Sequence, residues 1–166
     1  MGISSDIMVR QPAKGDLVGR TFVVAGIGVG FEGTIGIRLL NSSGKVLATG
    51  SAQSSGGMAA IGEFSTRLKV PTPPRAGTKL RLQVFGDDPG PGPAPGSDLR
   101  EVAVTMYPDL FGYLLYRVER GDTLTSIVRM ARDFGKTTIP QIVAANPQIT
   151  DPDVIRTGAK LRIPLS

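Results

Sequence analysis

Two constellations in this chain have the residue types for chemistry. GVGFEG, Gly28 to Gly33, fits G-x-G-x-x-G, in which glycines let a backbone approach a dinucleotide pyrophosphate. Glu32 and Glu63 are carboxylates of the kind that pair as general acid and base in glycoside hydrolysis. The chain has no Cys and no His. That removes thiol nucleophiles, zinc ribbons, His-ligated hydrolase metals and the Ser-His-Asp triad. An enzyme built from it would run on carboxylates, Lys, Tyr or Ser alone.

A pyrophosphate loop works only where a helix follows and turns its free N–H groups toward the anion. TFVVAG, before the glycines, reads as a strand. TIGIRLL, after them, reads as another, with Ile35, Ile37 and Leu39 alternating with Gly36 and Arg38 before the turn NSSGK. No helix opens there, so the nucleotide reading fails on context and the glycines read as a bend between two strands. Nothing in the sequence fixes the separation of Glu32 and Glu63, and a carboxylate tying down a turn is the plainer role for Glu32. The expectation is a protein that is not an enzyme, with no cofactor and no metal.

The alternation continues for about a hundred residues. Phe64, Thr66, Leu68 and Val70 share one face of EFSTRLKV; Leu80, Leu82 and Val84 share one face of KLRLQVF; Val102, Val104 and Met106 form the inner row of EVAVTM. With DIMV and VLATG these give about seven short antiparallel strands, the pattern of a sandwich. The loop DDPGPGPAPGSD, Asp87 to Asp98, is read as a connection that cannot join a ladder, since prolines lack donors and glycines resist ordering. A composition of 40% hydrophobic and 20% charged residues, with 22 Gly and 13 Pro, supports short strands around a packed core. Two small domains fit in 166 residues. The net charge of +5 comes from scattered basic residues with no aromatic interleaving, so nucleic acid is not an expected partner. No apolar stretch approaches the ~18 residues that cross a bilayer. The start, MGISSDIMVR, lacks the basic and apolar regions of a secretory leader, and the chain is read as one whose leader lies outside this sequence.

IMVRQPAKGDLV, FVVAGIGVGFEGTIGIRLLNSSGKVL and GEFSTRLKV together resemble the immunoglobulin-like domain of bacterial spore-germination and sporulation proteins, with Pro12, Gly15, Gly26, Phe31, Glu32 and Gly44 at the family's positions. That resemblance implies an all-β sandwich over residues 5–107, acting in binding or assembly outside the cytoplasm and supplying no catalytic residue.

After the short link YPDLFG the period changes. YLLYRV reads as a strand, and TLTSIVRMARDFG places Leu124, Ile127, Val128, Ala131 and Phe134 on one helical face. Asp122 or Thr123 can cap that helix, and Gly135 stands where a left-handed stop is expected. A second helix opens at Pro140 and ends at Asn146 and Pro147, and KLRIP gives a last strand. YRVERGDTLTSIV, IPQIVAANPQI and DPDVIRTGAKLRIP are similar in order and spacing to the LysM domain, over 113–165. Leu124 stands where many members have an aromatic residue.

The LysM resemblance implies an α+β fold of order βααβ that binds N-acetylglucosamine-containing glycan, peptidoglycan or chitin, in a shallow groove. On this chain the groove residues would be Gly121, Asp122, Thr123 and Leu124 on one side and Asp151, Pro152, Asp153, Val154 and Ile155 on the other. An acetamido sugar needs backbone donors and acceptors over a small apolar floor, which Leu124, Val154 and Ile155 would supply. Asp122 and Asp153 are either hydroxyl acceptors or caps of a helix or turn, and Leu124 and Ile155 either meet sugar or pack the core. Basic residues outnumber acidic ones in this segment, so anionic wall polymers would add a salt-sensitive attraction. The functional expectation is a non-catalytic bacterial cell-wall or cell-surface protein. The alternative is a sporulation or germination assembly protein in which both modules bind proteins, the sandwich through its strand edges.

Overall fold

A computed structural model of the chain describes residues 6–86 and 97–166. Packing divides it into two compact units: one of Thr21–Pro73 and Lys79–Val104 with the residues up to Asp16, the other of Thr105–Ser166 with Leu17–Arg20 and Pro74–Thr78. The N-terminal part is an immunoglobulin-like sandwich, and the C-terminal part is a βααβ domain.

The sandwich strands are β1 (Met8–Gln11), β2 (Asp16–Val18), β3 (Thr21–Gly28), β4 (Thr34–Leu40), β5 (Val46–Gln53), β6 (Gly62–Lys69), β7 (Thr78–Gly86) and β8 (Arg100–Met106). One sheet has the order β1-β3-β6 and the other β2-β8-β7-β4-β5. The period-two rows read from the sequence are the inner rows. Val24, Phe64 and Leu68 from the first sheet and Ile35, Ile37, Leu39, Leu82 and Val84 from the second are all buried. Each such side chain contributes roughly 1.5–3 kcal/mol by leaving water. The extra strand beyond the expected seven is β2, whose three residues are too few to display an alternation.

GVGFEG forms the bend anticipated for it. β3 ends at Gly28, Phe31–Gly33 make one 3-10 turn, and β4 begins at Thr34. Gly33 has φ of +76°, and a Cβ there would sit 3.1 Å from the backbone of Gly57, so both conformation and space call for glycine. Glu32 occupies that turn, and Glu63 lies on β6 with an exposed ion pair to Arg10 at 3.4 Å. NSSGK is held by the Asn41 side chain, whose Oδ1 accepts from the N–H groups of Ser43 and Lys45 at 3.1 and 2.9 Å. The Pro-rich connection read over Asp87 to Asp98 lies, but for its last two residues, outside the described residues.

In the C-terminal domain β9 (Gly112–Arg117) pairs antiparallel with β10 (Lys160–Leu165), placing Tyr116 opposite Leu161 and Leu114 opposite Ile163. Two helices lie between them in sequence, α1 (Leu124–Ala131) and α2 (Ile139–Ala145). Their inward residues Leu124, Ile127, Ala131 and Ile142 join Val118, Ile149, Leu161, Ile163 and Leu165 in one core. The first helix stops earlier than its periodicity predicts. Phe134 lies beyond the helix and is 57% exposed rather than inward. Gly135 does not take the left-handed conformation expected of it. A Cβ at Gly135 would meet the Phe111 ring at 2.9 Å and Leu165 at 3.2 Å, so close approach of side chains, not a helix stop, accounts for this glycine.

Candidate functional site

The site is built around the loop between α2 and β10, and one buried amide sets its starting point. Asn146 is 2% exposed. Its Nδ2 donates to the carbonyls of Ile142 and Arg162, both at 2.7 Å, and its Oδ1 accepts from the Arg162 N–H at 2.8 Å. The end of α2 is thereby fixed to β10 by the two hydrogen bonds with Arg162, while the third ties the amide back to α2 itself, and each is costly to leave unmade in a buried place. The far end is fixed by two backbone bonds, Gly158 N–H to Val118 O at 2.7 Å and Val118 N–H to Ala159 O at 2.9 Å. Between these anchors Asp151 closes a turn, its Oδ1 accepting from Asp153 N–H at 2.9 Å and its carbonyl from Val154 N–H at 3.1 Å.

The loop encloses a concavity of about 560 Å³ lined by residues drawn from 148–161. Buried Ile149 and Leu161 and half-buried Ile155 and Ala159 supply apolar walls; Val154, 61% exposed, stands at the rim. Gln148, Thr150, Asp151 and Arg156 add polar groups. The volume falls within the range of small-ligand sites, and few convergent polar groups over an apolar base are their usual make-up. A second crevice of this unit, beside Tyr107 and Pro164, is about 30 Å³ and too small for a sugar.

Of the residues expected to form the groove, Asp151, Val154 and Ile155 line this concavity. Pro152 and Asp153 are exposed on the same loop outside its lining. Gly121, Asp122, Thr123 and Leu124, from the turn between β9 and α1, do not line it. Three of them have partners of their own within the domain. Thr123 caps α1: its side chain accepts from Ser126 N–H at 3.1 Å while the Ser126 hydroxyl accepts from Thr123 N–H at 3.0 Å. Asp122 Oδ2 accepts from the Tyr116 hydroxyl at 2.8 Å and from Glu119 N–H at 2.7 Å. That hydrogen bond to Asp122, reinforced by burial and by the charges of Asp122 and Glu119, holds the Tyr116 hydroxyl above its usual pKa. Leu124 is 3% exposed and belongs to the core that also contains Ile149 and Leu161.

Lining residues that sequence reasoning did not single out are Gln148, Ile149, Thr150, Arg156, Ala159 and Leu161. For those on the loop the sequence signal is contiguity with the expected set, since no period distinguishes a loop's inward residues, while Leu161 belongs to the alternating row of β10, which marks it as core. Among the described residues no cluster of three or more His, Cys, Asp or Glu could hold a metal ion, and no helix is long and apolar enough to cross a membrane.

Residues 6–92 match the family model described as the immunoglobulin-like domain of bacterial spore germination, and residues 116–164 match that of the LysM domain. No curated protein matches the chain. Among solved structures it is similar to CopC from Methylosinus trichosporium OB3b, at 18% identity and a TM-score of 0.37, over 64% of this chain and 96% of that one.

Proposed function

We propose, from the premise that this chain belongs to the family of the immunoglobulin-like domain of bacterial spore germination and carries a LysM domain behind it, that it is a non-catalytic, extracytoplasmic bacterial wall protein. Its domain of residues 113–165 holds an N-acetylglucosamine-containing glycan, peptidoglycan or chitin. Its sandwich of residues 5–107 serves as an interaction or spacer module. LysM domains are glycan-binding modules of cell-wall-associated and extracellular proteins, and neither family here is catalytic.

The observation that carries the reading is the concavity in the loop after α2, lined by Ile149, Val154, Ile155 and Leu161 and edged with amide, hydroxyl and backbone groups. An acetamido methyl and a pyranose face fit an apolar wall, and hydroxyls fit the rim. Asp151, Val154 and Ile155 are the contacts we assign there, with Pro152, Asp153 and the turn of Gly121, Asp122 and Thr123 extending the surface to neighbouring sugars. Leu124 acts through the core. A single shallow site of this kind corresponds to a dissociation constant of roughly a micromolar to a millimolar, about −8 to −4 kcal/mol. Avidity then comes from repeated glycan units.

Sedimentation of the full chain with insoluble peptidoglycan and with chitin tests this reading, together with an amide NMR titration by soluble oligomers. Retention on at least one polymer, with shift changes centred on 148–161, is expected. Loss of the chain to the supernatant in both cases overturns it.

A second reading, a germination or sporulation assembly protein, has its own observation. Phe31 and Met58 are 54% and 76% exposed on two loops at one end of the sandwich, held together by a Ser54 N–H to Gly33 O bond of 2.8 Å. On this reading a protein partner would cover these two apolar side chains. Crosslinking and light scattering that detect neither self-association nor a protein partner count against this reading.

A further inference from the structure

We propose that Arg156 makes the α2–β10 concavity selective for glycans that bear a carboxylate over neutral glycans of the same sugar backbone. This rests on the glycan reading above and narrows it to peptidoglycan-like ligands.

Only two side chains lining the concavity are of charged type, Asp151 and Arg156. Asp151 is committed to its own turn through the Asp153 N–H. Arg156 is exposed and has no carboxylate partner among the described residues, whose ion pairs all lie elsewhere. Its backbone is engaged, the carbonyl accepting from Ala159 N–H at 3.0 Å, so the residue's place on the wall is fixed while its guanidinium is not.

A neutral N-acetylglucosamine polymer offers amides and hydroxyls, and a guanidinium gains little from either beyond what water gives it. A wall glycan whose alternate sugars carry a lactyl ether and a short acidic peptide offers carboxylates a few ångströms from the pyranose. A sugar seated on the apolar wall brings such a group to the rim. There the planar five-donor fork of arginine takes it in two parallel charge-assisted hydrogen bonds. The site is at the surface and screened, so the expected advantage is about tenfold rather than the larger factors of buried pairs.

The test is calorimetric titration of the full chain, wild type and Arg156→Gln, with chitotetraose and with a disaccharide–peptide muropeptide, an amide spectrum confirming that the variant is folded. The wild type is expected to bind the muropeptide about tenfold more tightly, with that advantage shrinking as salt rises. Arg156→Gln should lose the advantage, its muropeptide affinity falling by a clearly larger factor than its chitotetraose affinity, and Arg156→Lys should recover only part of it. Equal wild-type affinities for the two ligands, or an Arg156→Gln variant that keeps the preference or weakens both ligands alike, overturn the proposal and leave the glycan reading standing. Failure of the wild type to bind either ligand overturns both.

Discussion

Asp122 receives a tyrosine hydroxyl and a backbone amide on the same carboxylate oxygen, and both bonds are lost together if the carboxylate is removed. Asp122→Ala is expected to destabilise the C-terminal domain by roughly 1–2 kcal/mol, read by urea denaturation. Tyrosine titration followed in the ultraviolet should show the Tyr116 pKa falling back toward the ordinary tyrosine value, because the largest cause of its elevation is the Asp122 hydrogen bond. An unchanged titration would mean that the bond does not persist in solution. From the sequence, Asp122 reads as a cap or a sugar acceptor, the cap being the plainer role. A short acidic side chain after a glycine turn serves either end, and no local pattern records that the Tyr116 hydroxyl meets it. Thr123 was legible only as one of two candidate caps, and its pairing with Ser126 three residues on decides between them. Arg156 was illegible for the opposite reason: its significance lies in what it lines, which no local pattern records.

At the scale of elements, alternation made the strands readable. Ile35, Ile37 and Leu39, or Leu80, Leu82 and Val84, read as buried rows and are buried, although the rows opposite are only partly wet, with Gln83 8% exposed and Arg38 half-buried. The misreadings came where an element ends. The spacing of Phe134 continues the helical stripe, yet the chain turns out of the helix after Ala131, with Gly135 N–H still reaching Ala131 O at 3.0 Å. Periodicity cannot register that the Phe111 ring and Leu165 stand close beside this glycine. Close approach of another kind governs β1 and β3, where a Cβ at Gly26 would lie 2.1 Å from the carbonyl oxygen of Met8. Backbone cannot yield as a side chain can, so Gly26→Ala should push β1 off the sheet at a cost of about 1–3 kcal/mol. Hydrogen exchange should show protection lost in Met8–Gln11 and retained in β6, whereas uniform protection would contradict the packing.

For the molecule as a whole, the response to alkali follows from Tyr107. It is 2% exposed and donates to the Gln141 carbonyl at 2.6 Å. Burial raises its pKa to about 12, against a lesser opposing pull from the Arg162 charge. A folded pKa above the unfolded value of about 10 means that the stabilisation is complete below pH ~10. It is lost as pH rises toward 12, since the unfolded chain releases the proton first. Tyr107→Phe is expected to be less stable at neutral pH by about 1 kcal/mol and to show a flatter decline over that window, measured by denaturation at stepped pH. Parallel declines for the two proteins would show that the hydroxyl titrates as it does in the unfolded chain. Every wall of the α2–β10 concavity comes from the single run 148–161, clamped at its base by Asn146. Ligand choice is thereby written in one uninterrupted stretch of the chain, whose exposed positions between Thr150 and Gly158 can diverge while Ile149 and Leu161 stay bound to the core beneath.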